Sequence, residues 1–572
     1  MKLIRVDMTS QQIHAEEVPS RYAGIGGRGL TTEMINAEVP PACDPLGPEN
    51  KLIFAPGILS GTSAVNTSRI SVGAKSPLTG TIKESNAGGK IAACLGKLGI
   101  TAVAVEGQAP AGRLFQLVID DRGRASLQDA AAYKGMRTYA LTEKLYDAYG
   151  SQNTLMCIGP AGENLLKSAS IQSTDVDDRP CRAAGRGGLG AVMGAKGLKA
   201  VVVSTEGKSP DALADPETFQ KAAKTLARAI QQAPFTGQTL PELGTAGLVS
   251  AVNSLGAFPS LNATQGVFTG WEKISGEAMA EVIRKRGGKN KHRGCSQCII
   301  QCSNEYVDDK GDYMTASLEY ETIWSMGGMT GIDDLDTIAR LDFLCDDIGL
   351  DTMNTGIALA VAMDAGYKSF GDARAAIEML EEIAAGTEMG VILGNGPAAV
   401  GKHFNHHRIP AVKGQGIAAY DPRGMQGNGV TYATSTMGAD HTAGNLIGQY
   451  LGKQLDPLSA EGQVEASRSA QIAMAALDCT GLCMLAASAL SSPDAAEAMV
   501  SLLSAKTGTS LGKDVMTEMG KQVLKTEREF NRRAGITRGD DRLPRFFREE
   551  PLPPHNRVFL VEDEDLDHVY NF

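Results

Sequence analysis

Four cysteines have the spacing of iron–sulfur cluster ligands. Cys295, Cys298 and Cys302 lie within eight residues of one another, and Cys483 lies far along the chain. Three closely spaced thiolates and one remote thiolate suit a [4Fe–4S] cluster, because the short run holds three irons and a distant loop supplies the fourth ligand. Four thiolates would also satisfy structural zinc, although zinc ribbons usually pair two short C-x-x-C knuckles. The division into three and one favours the cluster, which indicates one-electron redox chemistry.

A second motif occurs twice along the chain. Residues 346–351 and 478–483 share the pattern D-x-x-G-L followed by Asp or Cys, and each copy falls near the end of a predicted helix. A carboxylate can accept two parallel hydrogen bonds from a planar N–H edge such as that of a pterin. An aspartate ahead of a helix-ending glycine is common in any protein. Two copies, the second of which ends in Cys483, indicate a duplicated ligand-binding turn.

Two glycine clusters could form anion-binding loops. Residues 26–29 read Gly-Gly-Arg-Gly, and residues 185–190 contain G-x-G-x-x-G close to Arg182 and Arg186. The latter pattern binds dinucleotides when a strand precedes it and a helix follows, and no strand is predicted before it, so NAD binding is not favoured. Backbone N–H groups beside two arginines still suit a phosphate. Polar loops at 66–69 and 84–89 extend this ligand surface, although loops of this composition are often only turns.

Several side chains could move protons. Glu319 and Glu321 flank Tyr320, Tyr420 lies in Ala-Tyr-Asp-Pro-Arg-Gly-Met, and His441 follows a Gly-Ala-Asp turn in a chain with only eight histidines. Because an unperturbed histidine titrates near neutral pH, such a residue is a candidate acid or base. A lone histidine is more often structural, so both interpretations stay open at this point.

Composition limits the class of protein. The chain has 572 residues, a formal net charge of −11, 42% hydrophobic and 21% charged residues, which are values of an ordinary globular protein. It has no long basic run, and its first residues lack the apolar core of a signal peptide. Its longest apolar stretch, 472–490, is interrupted by Asp478. The sequence therefore predicts a cytoplasmic protein that binds neither nucleic acid nor a membrane.

Hydrophobic periodicity divides the chain. Before residue 205 the pattern predicts short strands at 51–55, 101–106, 115–120 and 200–204. Beyond a polar stretch it predicts helices at 219–232, 276–286, 334–348, 371–385, 464–487, 493–505 and 514–534. We predict three domains, 1–205, 206–410 and 411–572, with a tail from Arg538 that wraps the surface.

In their order, these motifs resemble those of the aldehyde:ferredoxin oxidoreductases, tungsten enzymes with a bis-pyranopterin metal site beside a [4Fe–4S] cluster. The resemblance runs nearly end to end, through the cysteine run, both Asp-Gly-Leu turns and the segments 26–30, 76–80, 84–89, 159–164, 185–194 and 420–425. It implies an α+β fold in which an N-terminal β-rich domain forms a base for the pterins and two mainly α-helical domains close over them.

The resemblance also implies the residues that bind the cofactor. Asp346 and Asp478 would each hold a pterin ring, in turns that also contribute Asp351 and Leu482. Arg69 would lie by the pterin and the cluster. The pterin phosphates and their bridging Mg²⁺ would be lined by Asn86, Gly88, Arg182 and Ala183. Tungsten, or molybdenum, would be held by pterin dithiolenes and by no protein side chain.

The implied reaction is the oxidation of an aldehyde to a carboxylic acid. Glu321 matches the family's candidate base, and Tyr420 and His441 match groups that orient or protonate the substrate oxygen. Two electrons would leave singly through the cluster to ferredoxin or to an iron–sulfur partner subunit.

One departure from the family concerns a bridging metal. Some members link a dimer through a metal held by Glu and His, but Arg340 stands where that Glu would be, and no histidine occurs between His292 and His403. We therefore expect any homodimer to lack this metal. Two alternatives remain: a tungsten subunit of an aromatic acyl-CoA reductase complex, and a zinc-stabilised protein without a catalytic metal.

Overall fold

The protein is α+β, as the sequence predicts. The structure, a computed structural model, describes residues 1–205 and 213–572. Two six-stranded mixed sheets form the N-terminal part, and the remainder is mainly helical, with one three-stranded and one two-stranded sheet. The polar stretch that we predicted as a domain boundary lies largely outside the described residues.

The first sheet has the strand order β2-β1-β6-β3-β4-β5. Its elements are β1 (Lys2–Asp7), β2 (Gln12–Glu17), α1 (Gly27–Glu38), β3 (Leu52–Pro56), β4 (Ile70–Lys75), β5 (Ile82–Ala87), α2 (Ile91–Lys97) and β6 (Ile100–Glu106). β1 pairs in parallel with β6, and the other pairings are antiparallel. Its central strands are buried, as their apolar runs predict.

The second sheet repeats the first. Its elements are β7 (Phe115–Ile119), β8 (Ala125–Asp129), α3 (Thr138–Tyr149), β9 (Thr154–Cys157), α4 (Pro160–Glu163), β10 (Ile171–Ser173), β11 (Arg182–Ala184), α5 (Leu189–Ala195) and β12 (Leu198–Val203). Read from β8, its order is β8-β7-β12-β9-β10-β11, and β7 pairs in parallel with β12. Each strand therefore has a counterpart in the first sheet, and the two sheets share one topology.

This topology decides the interpretation of the G-x-G-x-x-G pattern. A strand, β11, does precede it and a helix, α5, follows, so our expectation that no strand precedes it was wrong. However, β11, β10, β9 and β12 are joined by three antiparallel pairings, which makes β11 and β12 antiparallel. A dinucleotide-binding unit needs parallel strands around its helix, so this segment is not one.

The rest of the chain is mostly helical. Its helices are α6 (Pro216–Gln232), α7 (Leu240–Leu243), α8 (Leu248–Ser254), α9 (Gly276–Arg286), α10 (Tyr320–Ile323), α11 (Leu335–Ile348), α12 (Thr352–Asp364), α13 (Ala373–Ala385), α14 (Glu388–Gly394), α15 (Pro397–Phe404), α16 (Gln426–Thr434), α17 (Ile447–Leu451), α18 (Gln463–Thr480), α19 (Pro493–Thr507), α20 (Val515–Arg533), α21 (Phe546–Glu549) and α22 (Asp563–Leu566). The remaining strands are β13 (Lys289–His292), β14 (Ser303–Val307), β15 (Tyr313–Ala316), β16 (Ala411–Val412) and β17 (Gln415–Gly416).

The predicted helix over 464–487 is shorter than expected. α18 ends at Thr480 because Gly481 takes a left-handed conformation with φ 83°, and a 3₁₀ segment follows at Met484–Ser491. Within the described ranges no single helix is long and apolar enough to span a membrane, whereas α18 and this 3₁₀ segment pass that test as a pair bent by 116°.

The largest hydrophobic core lies mainly in the helical part, beside smaller ones that α6 and α19 and α18 and α20 form. It holds residues from both sides of position 410, together with Phe547 and Phe559 from the C-terminal tail. The tail therefore packs against the helices rather than forming a separate core. The boundary at 410 stays a prediction.

Candidate functional site

The two Asp-Gly-Leu turns have the same local structure. Asp346 lies in the last turn of α11 and Asp478 in the last turn of α18. Each helix ends at a glycine in the left-handed conformation, Gly349 with φ 82° and Gly481 with φ 83°, which is the conformation that glycine adopts without strain. The prediction that both copies lie at helix ends is confirmed.

Each turn docks on the same position of one N-terminal sheet. Gly57 follows β3, and a Cβ atom there would lie 2.1 Å from the Gly481 nitrogen. Gly159 follows β9, the counterpart of β3, and a Cβ atom there would lie 2.2 Å from the carbonyl oxygen of Ile348. Both residues are glycine because a helix-ending turn passes too close for a side chain. The duplicated turns therefore rest on duplicated sheets.

The two aspartates are buried and poorly provided with donors. Within the described chain the Asp346 carboxylate accepts no hydrogen bond, and Asp478 accepts only a long one, 3.4 Å, from Arg28 Nη1. Burial raises the pKa of Asp346, helped by the nearby Asp342 carboxylate, and raises that of Asp478, helped by Glu84. A buried carboxyl group that lacks donors is suited to a ligand that brings N–H groups.

The four predicted cluster cysteines converge. Burial raises the pKa of Cys483 and that of Cys302. Negative charge on Cys295 or Cys298 raises the pKa of Cys483 further, and negative charge on Cys483 or Cys298 does the same for Cys302. Such mutual influence requires the four sulfurs to share one region, although two of the segments lie 181 residues apart in the chain. The tertiary structure therefore brings together the remote thiol and the three clustered thiols.

Asn66 joins these two segments, a role that the sequence did not indicate. Its carbonyl oxygen accepts from the Cys483 N–H over 2.8 Å, and its side-chain amide donates to Cys298 Sγ over 3.3 Å. Its side-chain oxygen accepts from the Ile299 N–H over 3.1 Å. Its left-handed φ of 58° is one that asparagine tolerates. The residue is part of the predicted polar loop 66–69, so the sequence indicated its position in a ligand surface but not its hydrogen-bond partners.

Zinc and an iron–sulfur cluster require different spacings of four thiols. A zinc ion binds sulfur at about 2.3 Å, so four ligands must come close to one point. Among residues 1–205 and 213–572 no three His, Cys, Asp or Glu side chains lie close enough to hold one metal ion. A [4Fe–4S] core is larger and takes one thiolate on each of its four irons.

Arg69, Asn86, Gly88 and Arg182 meet beside Cys295. Arg69 Nε donates to Asn86 Oδ1 over 2.5 Å, and a Cβ atom on Gly88 would lie 2.5 Å from Cys295 Sγ and 2.9 Å from Arg69 Nη1. The Nε and Nη2 atoms of Arg182 are buried without a hydrogen-bond partner. Unpaired guanidinium donors are expensive to bury, so this position suits an anionic group such as a phosphate.

The remaining predicted cofactor residues have mixed environments. Ala183 lies in β11, close to Gly185 and Asp351. Asp351 caps α12 by accepting from the backbone of Met353 and Asn354, and lies 3.5 Å from Arg186 Nε. The Leu482 side chain is buried in a hydrophobic core. For Asp351 and Leu482 these contacts are structural, and their binding of a cofactor stays a prediction.

Glu321, His441 and Tyr420 form one buried group. Glu321 Oε2 accepts from the Ala419 N–H over 2.9 Å, and Glu321 Oε1 lies 3.3 Å from His441 Nε2. The Tyr420 and His441 rings are 6.1 Å apart. Glu321 Oε1 and His441 Nδ1 are both buried without a hydrogen-bond partner, so the 3.3 Å approach of Nε2 to Oε1 is an ion-pair contact and not a hydrogen bond. Burial raises the pKa of Glu321, and the nearby His441 opposes this rise.

Two buried cations from the N-terminal part hold the loop that carries His441. Lys83 Nζ donates to Asp440 Oδ2 over 2.7 Å, and both side chains are almost fully buried. Asp440 Oδ1 accepts from the Thr442 N–H, which starts a 3₁₀ turn at His441. Arg186 donates to the carbonyl oxygen of Ala439 over 2.8 Å. Burial opposes ionisation of Asp440, but Lys83 and Arg186 outweigh it and hold the pKa of Asp440 far below its usual range.

The glycine clusters serve mainly to allow close packing. A Cβ atom on Gly27 would lie 2.0 Å from the carbonyl oxygen of Asp478, and one on Gly187 would lie 2.5 Å from Lys83 Cγ. Arg28 is buried and forms a two-pronged ion pair with Glu527 of α20. Of the two predicted anion-binding loops, only 182–190 keeps unpaired guanidinium donors.

Comparison with known proteins identifies the family. Residues 3–205 match the N-terminal domain of aldehyde ferredoxin oxidoreductase, and residues 221–572 match its domains 2 and 3. The chain is 34% identical to the tungsten-containing aldehyde ferredoxin oxidoreductases of Pyrococcus furiosus and Thermococcus kodakarensis, over 96% of this chain and 92% of each relative. It is 27% identical to the WOR-like subunit of aliphatic sulfonate oxidoreductase from P. furiosus, over 77% of this chain and 74% of that protein.

A solved structure supports the fold. The active site complex BamBC of benzoyl coenzyme A reductase, bound to 1,5-dienoyl-CoA, matches with a TM-score of 0.82 over all of this chain and 93% of that one, at 20% identity. The sequence matches cover both parts of the chain described above. The protein belongs to the aldehyde ferredoxin oxidoreductase family.

Proposed function

We propose that this protein oxidises aldehydes to carboxylic acids and passes the electrons through a [4Fe–4S] cluster to ferredoxin or to an iron–sulfur partner subunit. One observation supports this most strongly. Two buried aspartates, of which Asp346 has no donor in the described chain and Asp478 only a long one from Arg28, lie on equivalent turns, and the second turn continues directly into Cys483. A two-part organic cofactor next to a one-electron centre fits this arrangement.

The residues fit a bis-pyranopterin cofactor that holds tungsten or molybdenum. Asp346 and Asp478 would each accept from the N–H edge of one pterin, which would replace the donors that they lack. Arg182, with two unpaired donors, would bind the pterin phosphates, and Asn86, Gly88 and Ala183 would line the same phosphates and a bridging Mg²⁺. When bound, the metal centre would accept two electrons from the substrate.

Glu321 would act as the base. The reaction of an aldehyde with water to give a carboxylic acid releases two electrons and two protons, so a nearby group must accept a proton. Glu321 is buried and its Oε1 atom is unpaired, so this atom is available to water or to a hydrated aldehyde. His441 would donate a hydrogen bond to the substrate oxygen, and Tyr420 would restrict the orientation of the substrate relative to His441. Tyr420 and His441 are buried and only 15% of the Glu321 side chain is exposed, which limits competing water.

The direction of the pKa shift gives a pH dependence. Burial raises the pKa of Glu321 above its ordinary value near 4.5. Since only the ionised carboxylate accepts a proton, kcat should fall as the pH drops through this raised pKa and should not recover below it. The acidic limb should therefore start at a higher pH than for an exposed glutamate.

The test is anaerobic purification after growth with tungstate, metal analysis, and a panel of aldehydes with viologen as the acceptor. We expect tungsten, iron and aldehyde-dependent viologen reduction in the wild-type protein. Glu321→Gln should lower kcat by about 10²–10⁴-fold and remove the acidic limb, with tungsten content unchanged. The exposed Glu388, whose carboxylate pairs with no described residue, gives the control Glu388→Gln. Full turnover by Glu321→Gln with tungsten bound would show that the base is a different group.

The same assay separates the alternatives. Reduced viologen with an aromatic acyl-CoA tests the reductase-type reaction, and a preparation without iron or tungsten that contains zinc would support a structural zinc protein. We further propose that the protein is cytoplasmic and that a homodimer, where it forms, lacks a bridging metal. Arg340, at the position expected for the bridging glutamate, is exposed on α11 and lies against Phe343.

A further inference from the structure

The hairpin that carries three of the cluster cysteines has one strongly basic arm. Residues 284–293 contain six lysines and arginines and one histidine, with no aspartate or glutamate, in a chain whose formal net charge is −11. This segment comprises the end of α9 and the strand β13, and it leads directly into Cys295. A local excess of positive charge on an acidic protein attracts acidic partners.

Part of this charge is neutralised within the protein. Arg286 pairs with Asp336 over 2.5 Å, Lys289 lies 3.2 Å from Glu305, and His292 lies 2.7 Å from Asp177. The other four basic side chains are exposed and form no ion pair with any side chain in residues 1–205 and 213–572. These four, which we call the basic surface, are Arg284, Lys285, Lys291 and Arg293.

The basic surface lies next to the cluster site. β13 pairs with β14 in antiparallel register, with His292 opposite Ser303, so the loop 293–302 closes between them and carries Cys295, Cys298 and Cys302. At about 3.3 Å per residue, the Lys291 Cα atom lies within about 13 Å of that of Cys295. A partner bound at Lys291 and Arg293 would therefore stand beside the cluster.

The loop between the strands is held against the interior. A Cβ atom on Gly294 would lie 1.5 Å from Arg182 Nη2, so the backbone rests directly on that guanidinium. Cys295 and Cys302 are only partly buried. The basic surface is thus attached to a well-packed loop that keeps it at a constant distance from the thiols, which is the property an electron-transfer docking site needs.

Building on the proposed function, we propose that the basic surface is the docking site for an acidic iron–sulfur electron carrier. Oxidation of one aldehyde releases two electrons, so it reduces two one-electron carriers, or both clusters of one two-cluster carrier, while two protons leave to solvent. Opposite charges steer such a carrier and orient it toward the cluster. Four exposed cations match the charge-dependent, weak association that rapid turnover of a carrier requires.

The experiment compares two acceptors for the same holoenzyme. We would measure aldehyde oxidation with an acidic bacterial two-cluster ferredoxin and with benzyl viologen, for the wild type and for Lys291→Glu/Arg293→Glu. A milder variant, Lys291→Gln/Arg293→Gln, covers the case in which charge reversal disturbs folding. The matched control is Arg122→Glu/Lys402→Glu, since both are exposed and pair with no described side chain, Arg122 in the hairpin at the far edge of the second sheet and Lys402 on α15.

At about 0.01 M ionic strength, where charges act over about 30 Å, the reversal should raise the KM for ferredoxin at least about tenfold. The neutral variant should show a smaller rise, and both should keep wild-type iron content and viologen kcat. Added salt should raise the wild-type KM and reduce the difference between the proteins. An unchanged KM for ferredoxin, or an equal rise in the control, would overturn the proposal.

Failure of the proposed reaction is distinguishable from failure of the docking site. If no aldehyde reduces viologen, ferredoxin binding to the iron-loaded protein is measured by calorimetry at low and high salt. Salt-sensitive binding that the Lys291→Glu/Arg293→Glu variant loses would support the docking site without the aldehyde reaction. Binding of anionic vesicles or nucleic acid through the same four cations, with no ferredoxin binding, would assign the surface to another partner and overturn the proposal.

Discussion

Replacing Gly57 or Gly159 by alanine tests whether the two Asp-Gly-Leu turns hold separate parts of the cofactor site. Gly57 directly follows β3, and Gly159 follows β9 after one intervening residue; at each, an added Cβ atom would meet the backbone of one turn. Gly57 touches the turn that carries both Asp478 and Cys483. Gly159 touches the turn that carries Asp346 and no cluster ligand. The two substitutions should therefore have different effects on tungsten and iron.

The size of the disturbance follows from the distances. A Cβ atom on Gly57 would lie 2.1 Å from the Gly481 nitrogen and 2.2 Å from its Cα atom, and one on Gly159 would lie 2.2 Å from the Ile348 carbonyl oxygen, where ordinary contact begins at 3.4 Å. The turn must then move by about 1.2 Å, since the atoms in contact are backbone and have no rotamer to change. Overpacking of this kind costs about 1–3 kcal/mol, and occasionally more.

Metal content is the measurement. Gly159→Ala should lower tungsten content and turnover while the protein keeps about four iron atoms per chain. Gly57→Ala should lower both tungsten and iron, because Asp478 and Cys483 move together. Gly448→Ala is the control, since no atom lies within 4 Å of the added Cβ. Wild-type metal content in Gly57→Ala, or equal loss of iron from Gly159→Ala, would refute the division of roles.

Two buried ion pairs give further predictions. Glu527→Gln leaves Arg28 buried without its charged partner, so the free energy of unfolding in a urea titration should fall by about 3–5 kcal/mol. The pKa of Glu527 is lowered, above all by Arg28 acting against burial. Its stabilisation should therefore be present above its unfolded pKa near 4.5 and be lost as the pH falls through the folded pKa, so that wild type and variant converge in acid. Lys83→Met should release Asp440 and displace the His441 loop, lowering kcat by up to about 10²-fold at constant tungsten content. Lys83→Arg should restore part of this activity, and unchanged kinetics in Lys83→Met would show that the pair does not position His441.

Much of the site could be predicted from local patterns. Cysteines at C-x-x-C-x-x-x-C spacing are typical of iron–sulfur ligands. The position of an aspartate ahead of a helix-ending glycine follows from the predicted helix ends. Four strands of the two sheets, β3, β6, β7 and β12, lie where the sequence predicts them, because each is an apolar run between turn residues; the other eight were not predicted. In these cases the pattern depends on residues that are close together in the chain, so the sequence is sufficient to predict the feature.

The duplication of the N-terminal sheets was not predicted. Of the duplication, only the repeated Asp-Gly-Leu turns were noticed, since the paired glycines, Gly57 and Gly159, follow strands of different sequence and share no motif. α1 was missed because its first residues, Gly27 and Gly29, are poor helix formers. Tertiary packing overrides that propensity, as the turn at Asp478 lies against this helix and leaves no room for side chains.

The sequence by itself indicated the α+β class, the four candidate thiols and the two Asp-Gly-Leu turns, because ligand spacing and hydrophobic period are local properties of the chain. Only the tertiary structure decided which charges meet: Lys83 with Asp440 across 357 residues, and Arg28 with Glu527 across 499. A buried ion pair requires both partners to lose water together, and that depends on which elements pack against each other. Local sequence contains no signal for such a long-range ion pair, so the pairs that hold the site together are seen only in the tertiary structure.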